Sequence, residues 1–129
     1  MILDHFGFGV SDYAAAKAFY AAALAPLGIP LVTEVRPEEN PVGVWACGFG
    51  KDGKPDFWIG SDGKTTPPMH VAFVVDDRAS VRAFHAAALA AGYEDNGGPG
   101  ERAVYHPGYY GAFVLDPDGL NVEVVNHNR

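Results

Sequence analysis

Residues 4–10 alternate between apolar positions and small or polar ones, and the alternation stops at Ser11-Asp12. This predicts a strand with Phe8 and Val10 on one face and His5, Gly7 and Gly9 on the other, because successive side chains point to opposite sides. Asp12 suits a helix N-cap, where a carboxylate accepts orphan backbone N–H groups. A helix is expected over about 13–24, burying Ala16, Phe19, Tyr20 and Ala23 and ending at Pro26 and Gly28. Strands are then expected at Leu31–Arg36 and Gly43–Gly50, around a polar Pro37–Pro41 loop. The turn Lys51-Asp52-Gly53-Lys54 leads into a further strand, Asp56–Gly60.

The same pattern returns 65 residues later. His5-Phe6-Gly7-Phe8-Gly9-Val10-Ser11-Asp12 falls on His70-Val71-Ala72-Phe73-Val74-Val75-Asp76-Asp77, and Ala18–Ala25 falls on Ala83–Ala90. Twelve of the 21 pairs between 5 and 25 are identical. Alanine-rich helices resemble one another, but that does not explain His, Phe, Val and Asp recurring ahead of them in register. The chain therefore reads as a duplication. In the second half Asp77 caps a helix with Val81, Phe84 and Ala88 buried, and Gly92 ends it. Asp116-Pro117-Asp118-Gly119 is a turn joining strands Tyr109–Leu115 and Leu120–Asn126.

The expected fold class is α+β: a single domain over 1–129 made of two βαβββ modules, 1–64 and 69–129, with Thr65–Pro68 between them. The modules form a curved mixed sheet around a concave groove, with the helices on the outer face. Asn96-Gly97-Gly98-Pro99-Gly100 lacks the strand-to-helix context of a phosphate loop and is expected to be a connecting or gating loop.

Composition narrows the function. The 129 residues are 48% hydrophobic and 19% charged, enough for one real core. A net charge of −7 disfavours nucleic acid and anionic membranes as partners. No apolar run approaches the ~20 residues that span a bilayer, and the start, Met1-Ile2-Leu3-Asp4-His5, does not read as a secretory signal. The single cysteine, Cys47, permits no intrachain disulfide, and a cytoplasmic setting is expected.

Candidate chemistry lies on the groove face. The final strand puts Leu120, Val122 and Val124 towards the helices and Asn121, Glu123 and Val125 into the groove. A carboxylate in a part-buried cavity needs a cation, and the two first-strand histidines share its face. His5, His70 and Glu123 would form a two-histidine, one-carboxylate site for Fe, Mn, Zn, Ni or Co, with positions left open for water and substrate. Trp58 falls opposite Glu123 in the repeat; an indole binds no cation through a lone pair but can stack on a planar ligand. Trp45 and Phe49, with Cys47 between them, are expected to wall the same pocket. Asn121 is expected to contact ligand or orient a metal-bound water. In the loop Tyr105-His106-Pro107-Gly108-Tyr109-Tyr110, His106 and Tyr105 are candidate acids, bases or hydrogen-bond donors, and Tyr110 is a pocket residue. His127 lies on the groove face near the chain end, and His85 is expected to be structural or exposed.

The paired modules, His5 and His70, and the ending Asp116-Pro117-Asp118-Gly119-Leu120-Asn121-Val122-Glu123 resemble the vicinal oxygen chelate superfamily, the group of glyoxalase I, bleomycin-resistance protein and extradiol dioxygenases. The resemblance covers essentially the whole chain. It implies that His5, His70 and Glu123 are metal ligands and that a small substrate presents two neighbouring oxygens to the ion. It further implies a homodimer, with the three ligands either within one chain or, where the groove is completed across two chains, shared between them. Glyoxalase I usually has a fourth ligand, a glutamate, where Trp58 stands here, which argues against that isomerisation. The resemblance also implies an alternative, a drug-binding protein of the bleomycin-resistance kind.

Overall fold

The structure, a computed structural model, describes residues 3–127; the outermost residues of the expected 1–129 domain lie outside them. Two four-stranded sheets form. In the first, β1 (Phe6–Gly9), α1 (Tyr13–Leu24), β2 (Leu31–Val35), β3 (Ala46–Phe49) and β4 (Phe57–Gly60) follow one another, and the strands lie in the order β1-β4-β3-β2. The second contains β5 (His70–Val74), α2 (Arg78–Ala90), β6 (Glu94–Glu101), β7 (Tyr110–Leu115) and β8 (Asn121–Asn126), in the order β5-β8-β7-β6. Both modules are βαβββ, and both sheets are mixed and open. Among the described residues no helix is long and apolar enough to cross a membrane.

The duplication reappears as strand register. Parallel β1 and β4 pair Gly7 with Trp58, and parallel β5 and β8 pair Ala72 with Glu123, each residue displaced by the same 65 positions. Local chemistry sets the helices as expected. Asp12 accepts from the Ala15 N–H at 3.0 Å and Asp77 from the Ser80 N–H at 2.7 Å. A short 3-10 turn, Ala25–Leu27, ends α1 at Gly28, whose φ of 72° is in the left-handed region that glycine tolerates. The helices cover one face of each sheet. Phe19, Tyr20, Phe49, Ile59, Phe84, Val114, Val122 and Val124 are buried there, and Phe57 meets Phe73 edge-on at 5.2 Å across the two modules.

Two expectations change. The Pro37–Pro41 loop begins with a 3-10 turn, Pro37–Glu39. More consequentially, Asn96–Gly100 is not a loop: it lies inside β6, which pairs with β7 through irregular register at Asp95/Gly97 and Gly97/Gly100. A ladder needs only backbone groups, so glycines serve at a bulged edge strand that side-chain propensity would not predict.

His85 ties β6 to α2. Its Nε2 is 2.8 Å from Asp95 Oδ1, and Asp95 also accepts from the Gly97 N–H. The His85 hydrogen bond first, then that N–H, holds the Asp95 carboxyl below its ordinary value. A depressed folded-state value contributes stability above the unfolded one, lost as pH falls through the folded one. The stability difference between the protein and Asp95→Asn should therefore be present at neutral pH, begin to shrink near about pH 4 and disappear only once pH has fallen through the lowered Asp95 value. Thermal melts of both proteins at several pH values read it, and a constant difference would mean that Asp95 acts otherwise.

Candidate functional site

The faces opposite the helices carry the candidate residues, in two groups. On the second sheet His70, Asn121 and Glu123 come together. Glu123 is 2% exposed. Its Oε1 stands 2.9 Å from His70 Nε2, and its Oε2 accepts a hydrogen bond from the Tyr109 hydroxyl. His70 Nδ1 lies 3.1 Å from the Asn121 carbonyl oxygen, which can only accept. That contact assigns the ring hydrogen of neutral His70 to Nδ1 and leaves a lone pair on Nε2, aimed at a carboxylate oxygen. Two acceptors at 2.9 Å need a positive centre between them, either a proton or a metal ion.

The same arrangement fits a metal. Two ligands at right angles on one ion, each ~2.1 Å from it, are about 3.0 Å apart. A ligating histidine commonly donates its other N–H to a carbonyl or carboxylate, as His70 does. Tyr109 occupies the second carboxylate oxygen. Burial, then the Glu123 hydrogen bond, pushes its phenol well above the ordinary range, so it is held as a donor. Around them, Phe113 stacks on His70 at 6.1 Å and Asn96 donates to the Asn121 side chain at 3.0 Å. The guanidinium of Arg102 lies 5.6 Å from the Phe113 ring centre.

His5 belongs to the second group, on the first sheet. Its Nδ1 pairs with Asp4 Oδ2 at 2.8 Å, and it lines a shallow depression with Asp4, Lys54, Pro55 and Trp58. His70 and Asn121 line a different one, with Pro67, Pro68, Met69 and Gly119. Among the described residues no cluster of three or more His, Cys, Asp or Glu is placed to hold a metal. One chain thus assembles His70 with Glu123 and holds His5 apart from them.

Three pocket expectations are corrected. Phe49 is fully buried against Tyr20 on the helix side, and Trp45 stacks on Tyr13 of α1 at 5.9 Å. Cys47 shares that side, where burial pushes its thiol up and leaves it unreactive. The reason is Gly48: it pairs with Trp58, and a Cβ on it would lie 2.6 Å from Pro55 Cβ and 3.0 Å from the indole. Only glycine admits the ring there, so the odd positions of β3 take the core side. Tyr110 also faces a helix, with Arg78 of α2 4.7 Å from its ring centre.

Tyr105 and His106 sit at the end of β8 rather than on Glu123. His106 Nε2 is 3.0 Å from His127 Nδ1, and Tyr105, His106 and His127 all pack their rings against Tyr109. Tyr109 and Arg102 are the residues that sequence reasoning missed. Counting back by twos from Phe113, the groove-facing partner of Glu123, reaches Gly111 and then Tyr109; nothing comparable marks Arg102.

Gly111 is part of the site. A Cβ there would lie 2.9 Å from Glu123 Oε2, and Tyr109 pins that oxygen. Gly111→Ala should leave the fold intact and displace the carboxylate, cutting metal affinity by about tenfold, in the range seen when a ligand's support is lost. Metal titration of the variant reads this; unchanged affinity would show that the carboxylate is free to move.

Comparison with known proteins places the fold and the family. The model of the Glyoxalase/Bleomycin resistance protein/Dioxygenase superfamily matches residues 2–124. A glyoxalase/bleomycin resistance protein from Albidiferax ferrireducens T118 is 27% identical, with 95% of each chain covered and a TM-score of 0.69. Two further structures share the fold. One is an antibiotic binding protein, TnmS3, from Streptomyces sp. CB03234, at 23% identity, 98% and 96% coverage and a TM-score of 0.67. The other is a mutant of the fosfomycin resistance protein FosX from Listeria monocytogenes, complexed with Mn(II) and 1S,2S-dihydroxypropylphosphonic acid, at 18% identity, 96% and 92% coverage and a TM-score of 0.65. No curated protein matches the chain significantly.

Proposed function

Because the chain belongs to the Glyoxalase/Bleomycin resistance protein/Dioxygenase superfamily, we propose that it is a metal-dependent enzyme acting on a small substrate with neighbouring oxygens, in a homodimer. Each site takes His70 and Glu123 from one chain and His5 from the other. The observation that carries this reading is His70 Nε2 standing 2.9 Å from the buried Glu123 carboxylate while Nδ1 faces a carbonyl oxygen. The sharing rests on His5 lying apart and on the edges: β1 and β5, which begin beside or at the two histidines, are both edge strands. The groove side of β5 (His70, Ala72 and Val74) is exposed, and an open edge invites a second strand.

A divalent ion bound there would act as a Lewis acid on substrate oxygens. Glu123 supplies negative charge, and Tyr109 keeps one of its oxygens occupied so that the other faces His70. His70 is oriented by the Asn121 carbonyl and His5 by Asp4. Trp58 stands in the register position opposite Glu123 and offers an apolar wall instead of a proton-transferring carboxylate, so glyoxalase I isomerisation is not the expected reaction.

The test is metal content after reconstitution, measured on His5→Ala, on His70→Ala and on dimers remixed from both. Each variant alone should lose the metal. Remixing should restore it to one site per mixed dimer, because one of the two sites then keeps both histidines. No recovery would assign all three ligands to one chain. The second reading, a drug-binding protein without catalysis, draws on the same contact: a proton between His70 and Glu123 would satisfy the pair with no metal. Wild-type protein that takes up no Fe(II), Mn(II), Ni(II), Co(II) or Zn(II) would favour it.

A further inference from the structure

The depression on the first sheet contributes more than a histidine. Trp58 stands between two glycines in one row across the sheet, paired with Gly7 on β1 and Gly48 on β3. Built Cβ atoms would lie 3.0 and 3.1 Å from its ring atoms Cε2 and Cδ2 at Gly48, and 3.0 Å from its own Cβ at Gly7. The indole therefore lies against bare backbone on the Gly48 side, and no side chain rises from Gly7 beside it. Trp58 is only half-buried, and it borders the depression together with Pro55, His5, Asp4 and Lys54.

The polar rim carries one ammonium, Lys54, beside the Asp4 carboxylate and the His5 ring. Lys54 Nζ is 2.5 Å from the Asp4 carbonyl oxygen and 3.3 Å from Asp4 Oδ1, and Asp4 also holds His5. Both members of the Lys54–Asp4 pair are more than half exposed. An exposed pair of this kind is worth little and exchanges readily for another anion. The chain's charge of −7 opposes an incoming anion only at long range. At physiological salt that field fades over about 8 Å, so the local Lys54–Asp4 pair decides, and an incoming carboxylate must take the place of Asp4 on the ammonium.

We propose that this depression is a specificity pocket for a planar ring bearing a carboxylate, with the ring on the Trp58 indole and the carboxylate on the Lys54 ammonium. The proposal deepens the functional reading above by naming a substrate class for the same groove, but it makes no use of the metal. Aromatic stacking selects the ring, and a charge-assisted hydrogen bond selects the anion.

The test uses metal-free protein carrying Trp45→Phe. Trp45 lies on the helix side, and its removal leaves Trp58 as the only tryptophan. Fluorescence titrations compare benzoate, benzamide and cyclohexanecarboxylate. Benzoate should give saturable quenching and bind about tenfold more tightly than benzamide, the scale of one hydrogen bond to a charged group. It should also bind more tightly than the saturated ring, and added salt should weaken it. Lys54→Gln should erase the difference between benzoate and benzamide while both still bind. Equal binding of the two in the parent protein overturns the proposal. So does a preference for benzoate that survives Lys54→Gln, which would place the anion elsewhere, for instance at Arg102. A metal-binding protein that fails these titrations loses only the pocket. Successful titrations on a protein that takes up no metal remove only the metal chemistry.

Discussion

Glu123→Ala is expected to lower metal affinity by at least ~100-fold, more than loss of a supporting hydrogen bond costs, and to abolish turnover. Glu123 is the residue on which the candidate site converges. It faces His70 through one oxygen and Tyr109 through the other, and it is almost wholly buried. Alanine also leaves the Tyr109 hydroxyl without its acceptor, a cost of about 1–3 kcal/mol. The charge and the packing can be separated with Glu123→Gln. Its carbonyl oxygen still accepts from Tyr109, and its amide N–H donates to the His70 lone pair. The metal-free fold should therefore melt within about 1 kcal/mol of the parent, because both hydrogen-bond partners are kept, while metal retention is lost. Metal analysis and thermal melts of both variants decide the matter. Stoichiometric metal in Glu123→Gln would exclude Glu123 as a charged ligand. Destabilisation of the glutamine variant as large as that of the alanine variant would make the carboxylate chiefly structural.

What the sequence made legible follows from which constraints are local. The 65-residue repeat is one of them: it makes Trp58 and Glu123 equivalent positions before any coordinates, while their strand partners, Gly7 and Ala72, come from the structure. The helix caps are equally local. The facing of β3 is not. Ala46, Cys47, Gly48 and Phe49 contain no polar residue to mark the solvent side, and the parity is set by an indole from the neighbouring strand lying on Gly48. The Tyr109–Tyr110 pair poses the same problem one residue wide: both are aromatic, and only alternation counted from Phe113 separates the Glu123 partner from the helix-side ring. β6 was hidden because its glycines serve backbone geometry at a bulged edge. Finally, the spacing of His5 and His70 fixes their faces within each sheet and says nothing of the distance between the sheets.

The second large effect concerns stability, at the turn that positions β8. Asp116 is buried and accepts three hydrogen bonds: from the Asp118 and Leu120 N–H groups at 2.9 Å and from the Tyr20 hydroxyl at 2.7 Å. Tyr20 lies on α1 of the other module and is fully buried. Burial first, and then the Asp116 carboxylate beside it, push its phenol far up, so it remains a donor. The turn is also held at Asp118, which accepts from both the N–H and the hydroxyl of Ser11. Asp116→Ala strands two backbone donors and one hydroxyl at once. With donors left unsatisfied at 1–3 kcal/mol each and partial relaxation of the turn, the loss should be about 3 kcal/mol. For a domain of this size that is a drop in Tm of roughly 10 °C. Tyr20→Phe removes one donor and leaves Asp116 its two backbone partners, so it should cost only about 1 kcal/mol. Within the double variant the tyrosine substitution should cost almost nothing, because the hydroxyl has already lost its acceptor. Additive losses would mean that the Tyr20–Asp116 contact carries no energy of its own. Because Glu123 lies seven residues beyond Asp116 on the strand that this turn starts, the same variant should weaken metal retention without touching a ligand. Retention at parental strength in a destabilised Asp116→Ala would show that the register of β8 is held by its neighbours β5 and β7 alone.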